Sequence, residues 1–170
     1  MKKEEKGISR RRFLTGSAAI ALSGLLTKKV FSQAKDSPSL KKGTRLILLG
    51  TGGGPRPNKM RVQSSWVVLV NEVPYVVDCG EGVSRQLVFA NVPLRNLRYL
   101  FITHHHSDHN LDYGNLMYNA WASGFKGRID TYGPPPIEKI TNLFLEMNAY
   151  DNNIRIPDEG RTPLQPNIPP

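Results

Sequence analysis

Short runs of mostly apolar residues, separated by more polar stretches, recur along the chain and predict a β-sheet. Each run is four or five residues long and rich in Val, Leu, Ile or aromatic residues, and most have Gly, Pro or Asn beside them. This pattern is typical of buried or half-buried strands. The predicted strands cover residues 45–49, 66–70, 75–78 and 99–103, with a weaker one at 128–132.

Apolar residues at helical spacing mark three further segments, at residues 83–90, 112–123 and 137–150. Such a period places one apolar face on each helix. In the second helix, Tyr118 and Trp121 fit the core, although they could instead line a substrate cleft. Strands that alternate with helices favour a single α/β unit. Residues 161–170 show neither helical nor strand periodicity, so we expect no helix or strand there.

The N-terminal segment resembles a twin-arginine signal peptide. Arg10, Arg11 and Arg12 precede a moderately apolar stretch at 18–26, and Ser32-Gln33-Ala34 would suit a signal peptidase. We therefore expect residues 1–34 to be removed and residues 35–170 to be the mature domain. This predicts a periplasmic or secreted protein whose partner during export is the twin-arginine translocase. A basic amphipathic helix or a disordered tail is the alternative.

The charge of the chain is concentrated in that segment. The whole chain has 23 Lys plus Arg and 14 Asp plus Glu, a net charge of +9. Residues 1–34 hold 8 of the basic and 2 of the acidic residues, which leaves 15 against 12, or +3. A strongly basic protein suggests nucleic acid as a partner, but here most of the excess belongs to the signal peptide. Composition therefore does not favour a nucleic-acid partner. A single cysteine, Cys79, excludes an internal disulfide and a thiolate cage.

All four histidines of the chain lie within residues 104–109, directly after a predicted strand. Imidazole and carboxylate are the ligands that zinc and similar divalent ions take at catalytic sites. Alternate residues at a strand end point to the same side, so His104 and His106 can hold one ion. Asp108 and His109 follow where the chain must turn, and they can face a second ion. His105 points to the opposite side. A histidine cluster without metal is the alternative, although crowded imidazoles without a partner would carry a desolvation cost.

The glycine-rich turn at residues 50–54 raises a second possibility, a dinucleotide-binding loop. Gly50 and Gly52 fit the first two positions of that fingerprint, but Pro55 stands where its third glycine is required. Proline also removes a backbone donor that would bind phosphate. We favour a tight loop that brings backbone close to the metal edge.

The motif His104-x-His106-x-Asp108-His109 resembles the signature of the metallo-β-lactamase fold superfamily. Upstream motifs at residues 49–55, 64–65 and 76–82 are similar to those of its ribonuclease Z and arylsulfatase-like branch. The resemblance implies an α/β αββα sandwich, of which this chain would be the N-terminal half. It also implies two zinc ions per complete site, with other divalent metals as alternatives, and a bridging hydroxide. His104 and His106 would bind one metal, and Asp108 and His109 the other.

The same resemblance assigns two further roles. Asp108 would also be the catalytic carboxylate. Asp78 would lie beneath the metals and orient a ligating histidine, as carboxylates often do, although an Asp at that place could instead be a turn residue.

The chain departs from the family pattern in three respects. Ser107 stands where the branch usually has Gly, and Asn110 stands where it usually has an apolar residue. No histidine follows His109, whereas the family takes further ligands from later segments. We therefore expect the chain to be the front part of a longer enzyme.

Two classes of function follow. The first is a metal-dependent hydrolase that uses a metal-bound hydroxide on a small-molecule ester-type substrate, namely a phosphodiester, sulfate ester or lactone. The second is a non-catalytic metal-binding module or a degenerate fragment of such an enzyme. Later ligands would distinguish the two.

Overall fold

The computed structural model describes residues 43–169, so the expected signal peptide lies outside the described residues. Six strands form one sheet in chain order: β1 (Thr44–Gly50), β2 (Ser65–Val70), β3 (Val73–Val77), β4 (Tyr99–Phe101), β5 (Arg128–Tyr132) and β6 (Gln165–Asn167). The first three strands are antiparallel, and β3 to β6 run parallel. The α/β class expected from the sequence is confirmed.

Within residues 43–169, five α-helices join these strands: α1 (Val83–Phe89), α2 (Ser107–Asn110), α3 (Tyr113–Ala122), α4 (Ile137–Met147) and α5 (Ala149–Glu159). A 3-10 turn, Leu94–Asn96, precedes β4. None of the helices in the described part of the chain has the length and apolar character needed to cross a bilayer.

The core lies on one face of the sheet. Val67, Val76 and Leu100 are adjacent in register on β2, β3 and β4, and none of them is exposed. Leu87 of α1 and Leu116 of α3 belong to the same buried cluster. Full burial of such a side chain contributes about 1.5–3 kcal/mol, so this row fixes which face of the sheet the helices cover.

The other face of the sheet is apolar but more open. Leu48, Trp66, Val77, Phe101 and Tyr132 form a row across β1 to β5. Leu48 is 65% exposed and Tyr132 is 39% exposed. The Phe101 and Tyr132 rings stack with centroids 5.0 Å apart. The strand alternation therefore gives two apolar faces, of which the described residues bury only one.

Two expectations for the C-terminal part were wrong. Residues 161–170 do contain a strand, β6, which pairs with β5. Pro166 weakens its sequence pattern but is tolerated because β6 is an edge strand. The segment interpreted as one helix, 137–150, ends at Met147, and α5 begins at Ala149.

Of Tyr118 and Trp121, the two residues of α3 that could have lined a cleft, Trp121 belongs to the interior. It is 2% exposed, and its Nε1 donates a hydrogen bond to the Thr162 carbonyl over 2.6 Å. The Tyr118 hydroxyl donates to Asp151 on α5. Both side chains therefore connect α3 to the C-terminal segment.

Candidate metal centre

Three imidazole rings lie together beyond the carboxyl end of β4. The centroid of His104 is 4.8 Å from that of His106 and 4.0 Å from that of His109. His109 belongs to the short helix α2, which follows the strand after five residues. Because β3 and β4 are parallel, the residue after β3, Asp78, reaches the same sheet edge.

Asp78 connects the strand end to the histidine cluster. Its carboxylate accepts hydrogen bonds from His109 Nδ1 at 2.7 Å and from the Thr103 backbone N–H at 2.8 Å. The residue is buried and has a φ of 58°, a left-handed conformation that Asp and Asn tolerate better than most residues. This backbone turn aims the carboxylate back at the histidines.

The hydrogen bonds indicate which ring nitrogen of His104 and of His109 is the donor. Thr103 Oγ1 donates its only hydrogen to Asp78, 2.9 Å from Oδ1, so it can only accept from His104 Nδ1, 3.0 Å away. His109 likewise donates from Nδ1 to Asp78. In the neutral form of each ring, Nε2 then keeps its lone pair for a metal. No sequence pattern predicts this role of Thr103, whose hydroxyl links Asp78 to His104.

Asp108 faces the same cluster from α2. Its Oδ2 lies 3.6 Å from His109 Nε2 and accepts a hydrogen bond from the Gly54 N–H at 2.7 Å. The Gly54 donor holds the pKa of Asp108 below its ordinary value, with smaller contributions from His109 and His106. The carboxylate is therefore ionised at neutral pH, the form that binds a cation.

The loop after Asp78 holds α2 in place through the backbone. Cys79 N–H donates to the His109 carbonyl at 2.6 Å, and the Cys79 carbonyl accepts from Asp112 N–H at 2.9 Å. Gly80 packs so closely that a Cβ there would lie 2.4 Å from the Asp108 carbonyl oxygen. Only glycine fits this approach, which sets the distance between the loop and the ligand helix.

Gln63 joins two loops around the centre and was not identified from the sequence. Its side chain is buried, with Nε2 donating to the Gly54 carbonyl at 3.2 Å and Oε1 accepting from Glu81 N–H at 3.0 Å. A lone glutamine before a strand carries no sequence signal for such a role.

His105 makes separate contacts through both ring nitrogens. Its Nε2 donates to the Pro134 carbonyl at 2.7 Å, and its Nδ1 accepts from Asn110 Nδ2 at 3.1 Å. The ring thereby ties the ligand helix α2 to the turn after β5. The hydrogen bond from Asn110 to His105 accounts for a polar residue at position 110, where the family branch usually has an apolar one.

The donors fit a divalent cation in their chemistry and grouping. Neutral imidazole nitrogens and an ionised carboxylate are ligands for zinc and similar metals. No three of these His, Cys, Asp or Glu side chains within residues 43–169 have the spacing of a formed metal site. The described residues thus supply donors without a closed coordination shell.

The family of the chain follows from its similarity to known proteins. The model of the family described as "Metallo-beta-lactamase superfamily" matches residues 42–166. A ribonuclease Z of Methanococcus aeolicus is 33% identical over 112 residues, which cover 66% of this chain and 34% of that protein. A ribonuclease Z of Mycobacterium sp. (strain KMS) is 33% identical over 113 residues, covering 65% of this chain and 39% of that protein.

Solved structures agree with this similarity. The short form of human tRNase Z superposes with a TM-score of 0.57 at 27% identity, over 61% of this chain and 39% of that one. A long-form RNase Z from yeast superposes on 98% of this chain with a TM-score of 0.60; at 16% identity it supports the fold alone. The chain thus spans well under two thirds of the length of these ribonuclease Z proteins, 34% of the first and 39% of the second. Through this family match and the arrangement of its histidine motif, the chain belongs to the metallo-β-lactamase superfamily.

Proposed function

We propose that this chain provides part of the active site of a metal-dependent hydrolase that acts on an ester-type substrate. The observation that carries the proposal is the pair of free Nε2 atoms on His104 and His109, beside the ionised carboxylate of Asp108. Bound divalent cations would supply Lewis-acid activation of water and of the ester group.

The site residues would have distinct roles in metal binding and catalysis. His104 and His106 would hold one ion, and Asp108 and His109 the other, with zinc as the expected metal. Asp108 would also hold the attacking water through its carboxylate, which is the catalytic role we assign to it. Asp78 would fix the His109 ring directly and the His104 ring through Thr103.

A phosphodiester is the substrate class that the relatives favour. The names ribonuclease Z and tRNase Z state RNA cleavage for those proteins. They weigh against our expectation that nucleic acid is not a partner, so RNA stands beside a small-molecule phosphodiester as a candidate. A module that binds metal without turnover is the second candidate function, because the described residues do not close a coordination shell.

Metal retention tests the site. Each zinc at a catalytic site needs about three protein ligands plus water, so we expect the 170-residue chain to retain fewer than two zinc equivalents after dialysis. His104→Ala with His106→Ala should remove most of the retained zinc, measured by elemental analysis. His105→Ala is the matched control, because that ring bonds to Pro134 and Asn110 instead. An equal loss of zinc in His105→Ala would contradict the assignment of His104 and His106 as ligands.

Turnover separates the two candidate functions. The native gene product that includes this chain, loaded with zinc, should hydrolyse bis(4-nitrophenyl) phosphate, and Asp108→Asn should abolish that activity. Retained zinc without turnover of any ester would favour the binding module.

Export is a separate proposal that rests on the sequence alone. We propose that residues 1–34 direct the protein through the twin-arginine route to the periplasm or beyond. Arg10→Lys together with Arg11→Lys should keep the protein in the cytoplasm, as measured by cell fractionation. Unchanged periplasmic recovery would refute this route.

A further inference from the structure

The loop between β1 and β2 concentrates positive charge beside the candidate metal centre. Residues 43–169 contain 12 Lys plus Arg and 11 Asp plus Glu, a net charge of +1. Three of those cations, Arg56, Lys59 and Arg61, fall within residues 55–62, which we call the basic arm, and no acidic residue does. All three are exposed, and no carboxylate in the described range lies within ion-pair distance of them.

The structure attaches both ends of this arm to the centre. At its start, Gly54 N–H donates to Asp108 Oδ2 at 2.7 Å. At its end, the Val62 carbonyl accepts from Gly52 N–H at 2.8 Å, and the next residue, Gln63, donates to the Gly54 carbonyl at 3.2 Å. Arg56 lies only two residues from Gly54, a backbone span of about 7 Å at most. The arm is therefore a closed loop whose base contacts the Asp108 carboxylate.

The composition of the arm favours a defined conformation. Pro55 and Pro57 each fix one backbone torsion. No heavy atom lies within 4 Å of a Cβ position at Gly53 or Gly54, so the base of the arm is open at these two positions. The cations are consequently carried by a restrained loop rather than by a flexible tail.

We propose that the basic arm binds the phosphate anion of the substrate and thereby selects a phosphodiester over a neutral lactone or carboxylate ester. Guanidinium groups match phosphate oxygens through paired N–H donors, and lysine adds a point charge. This inference rests on the proposed hydrolase function for its catalytic consequence, whereas anion binding by the arm does not depend on turnover.

Anion binding is tested on the metal-free 170-residue chain. Dimethyl phosphate is a monoanion, and trimethyl phosphate is its neutral counterpart of similar shape. Backbone amide NMR should show dimethyl phosphate shifting the signals of the basic arm, with weaker shifts as salt is added, while trimethyl phosphate shifts none of them. Replacing Arg56, Lys59 and Arg61 together by Gln should weaken this binding by about 10-fold, the equivalent of one charge-assisted hydrogen bond.

A matched variant controls for net charge. Arg95, Arg98 and Lys126 are exposed and precede β4 or β5, at the sheet edge opposite His104. Their joint replacement by Gln removes the same charge and should leave dimethyl phosphate binding within about twofold. Equal loss in both variants, or equal binding of the two phosphates, would overturn the proposal.

Kinetics of the zinc-loaded native gene product separate this proposal from the proposed function. The arm variant should raise KM for bis(4-nitrophenyl) phosphate by about 10-fold, with little change in kcat, and leave 4-nitrophenyl acetate hydrolysis unchanged. If amides of the arm respond to dimethyl phosphate but no ester is hydrolysed, the hydrolase assignment fails and anion binding stands. If hydrolysis of both esters is normal in the arm variant, the arm has no part in substrate selection.

Discussion

Asp78 Oδ2 lies 2.7 Å from His109 Nδ1, and the two residues are 31 positions apart in the chain. The same carboxylate accepts from the Thr103 hydroxyl, which in turn contacts His104. One buried carboxylate therefore orients two of the three clustered imidazoles, each with Nε2 directed away from its hydrogen-bonded partner.

Asp78→Asn should weaken zinc binding by about 10- to 100-fold, as loss of a carboxylate behind a metal-bound histidine does. Asn suits the left-handed backbone at this position, so the circular dichroism spectrum should not change. Competition with a chromophoric chelator measures the affinity. Asp112→Asn is the control, since that carboxylate accepts from Gly82 N–H and contacts no histidine. Wild-type zinc affinity in Asp78→Asn would refute the orienting role.

Thr103→Val should lower zinc affinity by about 10-fold, because His104 Nδ1 loses the hydroxyl that selects its tautomer. Thr103→Ser keeps the hydroxyl and should restore the affinity. Long-range ¹H–¹⁵N spectra of the metal-free chain should report the His104 proton on Nδ1 in the wild type and Ser variant. The same tautomer and affinity in the Val variant would show that Thr103 is dispensable.

Gly80→Ala should destabilise the fold by at least about 2 kcal/mol, since overpacking costs 1–3 kcal/mol and here the obstruction includes backbone. The added Cβ would lie 2.4 Å from the Asp108 carbonyl oxygen and 2.6 Å from Gln63 Cβ. Gly53→Ala, which meets nothing within 4 Å, should change the free energy of unfolding by less than about 0.5 kcal/mol. Urea denaturation compares the two, and equal stability would mean that the loop can move away from α2 freely.

Burial raises the pKa of the Cys79 thiol above its ordinary value of 9.0, and Asp78 and Asp112 raise it further. The unfolded chain therefore loses this proton at lower pH than the folded chain. The stability from this group is complete below pH 9 and is lost as pH rises from there towards the folded-state pKa. Between pH 8 and 9.5 the loss should be about 0.8 kcal/mol.

Urea denaturation at the two pH values measures this loss, and Cys79→Ala serves as the comparison because it keeps the backbone bonds to His109 and Asp112. The alanine variant should lose about 0.8 kcal/mol less than the wild type over the same interval. An identical pH dependence in both proteins would rule out a buried thiol as the cause.

The strands could be predicted because their signal is local. Runs of apolar residues mark β2 and β4 in the sequence. In the structure, the ends of both strands lie within two residues of the predicted ends. β6 could not be found in this way. Its three residues include Pro166 and gain their strand conformation from pairing with β5, more than thirty positions earlier.

In the candidate centre, likewise, a local sequence motif predicts some of the residues but not those that depend on tertiary contacts. The spacing of the histidine motif predicts that His104 and His106 lie together, and their rings are adjacent. The parts contributed by Thr103 and Gln63 could not be predicted, because they depend on contacts with Asp78 and Glu81 that only the folded chain creates. The metal roles of His104, His106, Asp108, His109 and Asp78 stay predictions until metal is measured.

The open apolar face of the sheet affects the calorimetry of this chain. Unfolding raises the heat capacity in proportion to the apolar surface that it exposes to water. For ordinary globular proteins this increment is about 12–15 cal/mol/K per residue. Leu46 and Leu48, at 60% and 65% exposed, are already largely hydrated in the folded chain and add little to that change. The folded residues 43–169 should thus give a smaller heat-capacity increment, and a stability curve flatter in temperature, than a domain of equal length that buries both faces of its sheet.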